Sequence, residues 1–454
     1  MPSKYTVLSV TTLGALMTSL DSTIVYLAVP AMASYFHTGL GYLTLVIVAY
    51  LIATTSTMVP SGGLATRFGK KRLYLIGFAT FTLSSLIIAF SPNVLTAVIF
   101  RAVEGIGGGI MGTVGIPILL SAFPNSEHGK AIGINSIAWS VGALVGPVLG
   151  GLLVTFDWRY IFLINIPIGL FAIIMGLRNI PADSGDTLAK INLSNVIGFL
   201  VFIVPLTAGI SFLNYYWLAA AFLLSPIFAL TQKRAPLVPS SLLKNRSYSL
   251  LLAATSLQAL SFFAVSYAMS VYLQTDVKLS PFTAGLVLAA NPIASLVTSP
   301  LGGYIFDRTQ KGVALMLIGL LTQGSCVFAL SYAIVNPSVF LIFSILFLSG
   351  VGGTLFWTAS TVIAVNEGGE RSRSLASGTL FMLRNMALVI GLSSFPLFAA
   401  GSAGGVSILF KLQGSLNLLH PVRNYLLTIA LLSYTSTAMV MLYRFLIRRK
   451  MITP

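Results

Sequence analysis

A chain of 454 residues in which 56% are hydrophobic and only 8% are charged cannot clothe a water-facing surface, which excludes a soluble globular protein. The formal charge of +16 would suit a nucleic-acid binder, but the basic residues are spread through short connections, and no nucleic-acid partner is expected. One cysteine, Cys326, and three scattered histidines exclude an internal disulfide and offer no Cys/His metal centre.

Uncharged stretches of about 20 residues, enough to cross roughly 30 Å of hydrocarbon, recur from end to end. The first, 5–30, contains one carboxylate, Asp21, in "MTSLDSTIVYLAVP" (17–30). Its length and that acid set it apart from a cleavable leader. Spans two (41–63) and three (73–90) flank the basic loop "GGLATRFGKKR" (62–72). There Gly62 allows close helix approach, Gly69 allows a tight turn, and Arg67 with its basic neighbours holds the loop inside. Span four (93–123) carries Arg101 and Glu104, one helical turn apart. Span five (131–156) carries "GALVGPVLGG" (142–151). Gly142, Gly146 and Gly150 recur every four residues and bare one helix face, Gly151 follows, and Pro147 removes a backbone hydrogen bond and bends the helix. Span six (160–177) closes a first set. Spans seven (193–212) and eight (215–230) follow, and then spans nine to fourteen at 250–273, 281–305, 313–334, 338–365, 376–400 and 425–447. With the N-terminus inside, 20 of the 26 basic residues fall on the cytoplasmic side, four outside, and two, Arg101 and Arg384, within spans. That asymmetry predicts fourteen spans with both termini in the cytoplasm.

The chain repeats itself. "EGIGGGIMGT" (104–113) resembles "SGVGGTLFWT" (349–358), and one spacing of 245 residues relates Gly105 to Gly350, Gly133 to Gly378 and Gly146 to Gly391. "PSGGLATRFGKKR" (60–72) resembles "PLGGYIFDRTQKG" (300–312), which contains Asp307 and Arg308, at a spacing of 241. Two parallel six-helix bundles, 1–180 and 247–454, are therefore expected, with an inserted pair of helices in 181–246. At a spacing of 245, Ser266, Leu346 and Ser349 stand for Asp21, Arg101 and Glu104, and Leu392 stands for Pro147.

Over essentially its full length the sequence resembles the major facilitator superfamily, specifically its fourteen-span drug:proton antiporters. "LDSTIVYLAVP" (20–30) resembles that group's first-span signature and "RAVEGIGGG" (101–109) its fourth-span arginine motif. "GALVGPVLGG" resembles its fifth-span antiporter motif, "DWRYIFLINIPIG" (157–169) the stretch that follows, and "GTLFMLRNMALVIG" (378–391) a late span bearing an arginine. Two positions depart from the pattern. Thr66 stands where the family has an aspartate thought to latch the loop, although Asp307 keeps an acid in the second repeat. Glu104 stands where the family has glutamine.

The resemblance implies an all-α polytopic transporter in the plasma membrane, without a cofactor, that exchanges protons for hydrophobic or cationic compounds. At about 1.5 Å per residue, Asp21 lies about 24 Å from the cytoplasmic start of its span and Arg101 about 12 Å from the outer start of its own. Both fall in the outer half. Asp21 is the expected proton carrier, with Glu104 as a second acid and Arg101 holding the helices in register. Tyr26, Trp139, Phe262, Trp357 and Phe381 are candidates to line an apolar cavity. Arg384, in the inner half, either binds substrate or snorkels to the interface. The expected partners are small substrates, protons and lipid, with the protein acting as a monomer. The alternative is a same-fold transporter with one narrow substrate, such as a metabolite, a lipid precursor or a single antibiotic such as tetracycline. A membrane enzyme would need a nucleophile–base pair or metal ligands in the spans, and neither is found.

Overall fold

A computed structural model describes residues 4–124, 128–181, 183, 193–212, 215–234, 245–309, 311–367, 380, 383–392, 394–395 and 418–452. Helices follow one another as α1 (Lys4–Ile24), a 3-10 turn (Val25–Leu27), α2 (Val29–Tyr35), α3 (Leu40–Phe68), α4 (Lys70–Ala89), α5 (Val94–Ala122), α6 (His128–Phe156), α7 (Tyr160–Leu163), α8 (Asn165–Asn179), α9 (Leu193–Phe212) and α10 (Tyr215–Arg234). After these come α11 (Arg246–Thr275), α12 (Pro281–Leu288), α13 (Ala290–Thr309), α14 (Gly312–Ala333), α15 (Val339–Glu367) and α16 (Leu419–Ile452). Among the described residues, ten helices are long and apolar enough to cross a membrane, and three shorter apolar helices are Tyr42–Met58, Tyr215–Thr231 and Leu383–Leu392. Phe381 and much of the expected thirteenth span lie outside the described residues.

Proline explains three breaks. Its ring removes the bond to the carbonyl four residues back and crowds that turn. The first span breaks at Val25–Leu27 ahead of Pro30, the sixth at Ile164 ahead of Pro167, and the tenth at Ala289 ahead of Pro292. Pro117, Pro147 and Pro300, by contrast, sit inside helices that continue through them. Side chains set other starts. Asn93 accepts from the Thr96 N–H at 2.9 Å and opens α5, and Asn245 accepts from the Ser247 N–H at 3.2 Å and opens α11.

The chain packs as two units. One holds the described residues up to Arg234 with Ser280–Gly285, and the other holds the remainder. In the first unit α9 and α10 form a hairpin against α3, with Phe202 and Phe228 stacked at 5.2 Å. The outer side of this hairpin exposes Tyr215, Tyr216, Phe222 and Leu223, a surface suited to lipid.

Each unit uses the same helix contacts. Gly105 lies against the Tyr50 carbonyl and Ala53, and Gly350 lies against Asn291 and Ala294. Gly107 faces Gly77 and Phe81, while Gly352 faces Gly319 and Gln323. Gly146 faces Leu20, and Gly391 faces Leu260. The spacing is thus 245 residues in the fourth and fifth spans but 240, 241 and 242 in the first three. This corrects one expected equivalence. Asp21 corresponds to Ser261 rather than Ser266, because the second half has lengthened at the junctions between spans. Leu346 and Ser349 still stand for Arg101 and Glu104.

Asp276 closes α11 and opens α16. Its Oδ1 accepts from the Leu418 N–H at 2.7 Å and its Oδ2 from the Thr275 hydroxyl at 3.0 Å. Burial pushes this carboxyl above the usual aspartate range, against the pull of the Leu418 and Leu419 N–H groups and the Thr275 hydroxyl. The stability it contributes is therefore complete below its ordinary pKa of about 3.9 and is lost as pH rises through the higher folded value. Asp276→Asn keeps an acceptor for Leu418 and removes the titration. Thermal melts of the two proteins in detergent are expected to converge at acid pH, and above the folded pKa the variant should be the more stable.

Candidate functional site

The glycine face of α6 fixes the helix that carries Asp21. Gly142 lies against Leu16 and Ser19, Gly146 against Leu20 and Thr23, and Gly150 against Ile24. A side chain on any of these would collide with α1, and the Ser19 hydroxyl donates to the Trp139 carbonyl at 2.6 Å. With that stripe turned toward α6, Asp21 meets α5. The last glycine of the motif, Gly151, faces the backbone of Pro281 and Phe282, which pack with the same unit. Gly146→Leu should push α1 away, with overpacking costing about 1–3 kcal/mol. Pro147→Leu should fold normally, since Leu392 occupies the matching buried position. Melting temperatures of the two variants in detergent should separate accordingly.

Around Asp21 the helices assemble a charged cluster. Arg101 Nη1 donates to Asp21 Oδ2 at 2.7 Å and to Glu104 Oε2 at 2.8 Å, while its Nε donates to the Val46 carbonyl at 3.2 Å. The guanidinium lies over Tyr50 at 4.2 Å and near Phe162 at 5.7 Å. The Ser85 hydroxyl, from α4, donates to Glu104 Oε1, and the Asn165 amide, from α8, donates to Ser85 Oγ at 3.1 Å. Asn165 also adjoins the Asp21 carboxylate. Asp21 Oδ1 and Asn165 Oδ1, both acceptors, take part in no well-formed hydrogen bond among the described residues. The cluster is sealed: Asp21 and Glu104 are 0% exposed and Arg101 is 1%.

Sequence reasoning brought Asp21, Arg101 and Glu104 together but missed Ser85 and Asn165. The amide in the otherwise apolar "FLINIPIG" was the available signal for Asn165. Tyr26 lies in the 3-10 turn, 4% exposed and buried where α1 ends in this conformation. Trp139 is exposed on α6.

The other candidates fall in the second unit or at the loops. Arg384 lies over Trp357 at 4.2 Å and over Phe263 at 5.5 Å. Phe262 stands edge-on to Phe263 and touches Gly353. Gly62 lies within α3. Gly69 adopts a φ of +89° and separates α3 from α4, as its place in the tight turn requires. Arg67 is exposed over Phe68, and Arg308 donates to the Tyr304 hydroxyl at 3.2 Å. The side chain of Asp307 lies outside the described residues. An acid does reach the first loop, from an unexpected place. Asp183, beyond α8, accepts from the N–H groups of Lys70 and Lys71 at 2.7 and 3.1 Å and so caps α4, while Lys71 Nζ donates to the Leu177 carbonyl at 2.8 Å.

Residues 11–392 and 251–451 match the Major Facilitator Superfamily. Among curated proteins, a riboflavin transporter, RibZ of Clostridioides difficile, is 28% identical over 88% of this chain and 90% of its own length. The tetracenomycin C resistance and export protein of Streptomyces glaucescens is 31% identical over 69% of this chain and 60% of its own. A putative multidrug resistance protein, MdtD of Escherichia fergusonii, is 28% identical over 84% and 83%. Among solved structures, a D-xylose-proton symporter superposes with a TM-score of 0.66 at 16% identity, covering 95% of this chain and 97% of that one. The nucleoside transporter NupG gives a TM-score of 0.68 at 12% identity, covering 96% and 99%. At these identities the structures share the fold alone.

Proposed function

This chain belongs to the Major Facilitator Superfamily, and from that premise we propose that it is a fourteen-span antiporter exporting hydrophobic organic compounds in exchange for protons. It acts in the plasma membrane as a monomer, with both termini cytoplasmic and no bound cofactor. The observation that carries this reading is two carboxylates sharing one guanidinium inside a sealed apolar bundle. Fully ionised, the cluster holds one net negative charge, and a single proton brings it to neutrality. Asp21 Oδ1, which accepts no well-formed hydrogen bond among the described residues although the Asn165 amide lies beside the carboxylate, is the position we assign to that proton.

The sealing also bears on mechanism. Asp21 and Glu104 are closed off in this conformation, so any contact between a substrate and these acids belongs to another state of the cycle. The relatives named for tetracenomycin C export and multidrug resistance favour efflux. The riboflavin transporter favours the alternative of one narrow substrate. The test is purified protein in liposomes with an imposed pH gradient, a panel of hydrophobic fluorescent compounds, and a record of substrate-evoked proton flux. Transport that is indifferent to collapse of the gradient would refute the coupling. Uptake of one compound only would favour the narrow reading.

A further inference from the structure

The two intramembrane arginines sit in opposite circumstances. Arg101 is neutralised by two carboxylates and closed off. Arg384 forms no ion pair with a described residue, and the groups it faces are the rings of Trp357 and Phe263. Arg384 as a whole residue is half-buried. The fold does not demand an arginine there. The spacing of 245 that pairs Gly146 with Gly391 sets Arg384 opposite Trp139, an uncharged residue.

A guanidinium keeps its N–H groups in its own plane, so one centred 4.2 Å over a ring can present them to a further group. That geometry leaves a fork of donors for a carboxylate or other planar acid, held in orientation by the rings beneath. The aromatic rings it faces, with Phe262 edge-on to Phe263, make the surroundings apolar and suited to a flat ligand. A charge kept in a membrane segment with no counter-ion among the described residues points to a place where a counter-ion arrives with a ligand.

We propose that Arg384, with Trp357 and Phe263, forms a binding position for the acidic group of a planar organic anion. This rests on the export reading only for the word substrate, and it names a substrate class that the acids of the first unit do not suggest. If Arg384 instead snorkels to the interface, its loss affects no ligand selectively.

The test is equilibrium binding to the full-length protein in nanodiscs, without any gradient, so that it is independent of proton coupling. The probes are fluorescein, a planar anion, and ethidium, a planar cation, each followed by fluorescence anisotropy. Wild type is expected to bind fluorescein. Arg384→Gln should weaken that binding at least about tenfold, the loss of one charged fork. Arg384→Lys, which keeps the charge without the fork, should fall between, and ethidium binding should stay within about twofold throughout. Fluorescein bound equally by wild type and Arg384→Gln would overturn the proposal. So would absence of fluorescein binding to wild type, or a parallel loss of both dyes in the Gln and Lys variants, which would assign Arg384 to holding the unit together. Failure of the proton-flux experiment leaves this outcome untouched.

Discussion

Asp21→Asn is expected to abolish uphill export driven by a pH gradient, while Glu104→Gln is expected to remain coupled with an altered pH dependence. The two acids share Arg101 but differ in their remaining contacts. Glu104 is held at both oxygens, by the Ser85 hydroxyl and by Arg101. Asp21 accepts a well-formed hydrogen bond at Oδ2 alone, with the Asn165 amide beside the carboxylate. Asparagine preserves the shape and an acceptor for Arg101 but releases no proton. Glutamine at 104 leaves the pair of Asp21 and Arg101 intact and can still accept from Ser85. Substrate-evoked proton flux in liposomes decides between them. If Asp21→Asn stays coupled and Glu104→Gln does not, Glu104 is the carrier and Asp21 is structural. Coupling that survives the double substitution would remove both acids from the mechanism.

Removal of Arg101 should do the greatest damage to folding. Arg101→Met strands two carboxylates in an apolar bundle and is expected to destabilise the protein by about 3–5 kcal/mol. Arg101→Lys should recover only part of this, because one ammonium cannot reproduce both carboxylate contacts, the bond to the Val46 carbonyl and the stack on Tyr50. The informative variant combines Arg101→Met with Asp21→Asn and Glu104→Gln. With no charge left, stability in a detergent melt should return toward wild type while proton-coupled transport stays absent. A triple variant as unstable as Arg101→Met alone would mean that shape rather than charge holds this bundle.

The charged members of the cluster were legible in the sequence because Asp21 alone, and Arg101 with Glu104, interrupt long apolar runs, where their cost demands an explanation. The face of α6 was equally legible, since three glycines at a four-residue spacing leave one side of a helix bare. Ser85 and Asn165 were not, because spans contain many hydroxyls and amides, and only packing decides which of them turn inward. The burial of Tyr26 was not legible either. An aromatic near Asp21 suggests a cavity wall, but Pro30 breaks the helix and the resulting turn buries the ring. Thr66 pointed to a missing loop acid, and no local pattern reveals that Asp183, more than a hundred residues later, supplies one to the start of α4.

A residue inserted within a helix turns everything beyond it by roughly 100°. Five such insertions separate the repeat spacing of the first span from that of the fourth, yet every matched glycine still meets its partner. The added length was accepted where rotation is harmless. One extra residue lies between Thr275 and Pro281, compared with Tyr35 and Leu40, and one extra between Thr309 and Gly312, compared with Phe68 and Lys70. Three more lie where α14 runs on to Ala333 before Val339, while α4 stops at Ala89 before Val94. These junctions mark where the chain tolerates growth, so the connections 90–93 and 334–338 are the places to graft an epitope or a reporter without unseating a helix.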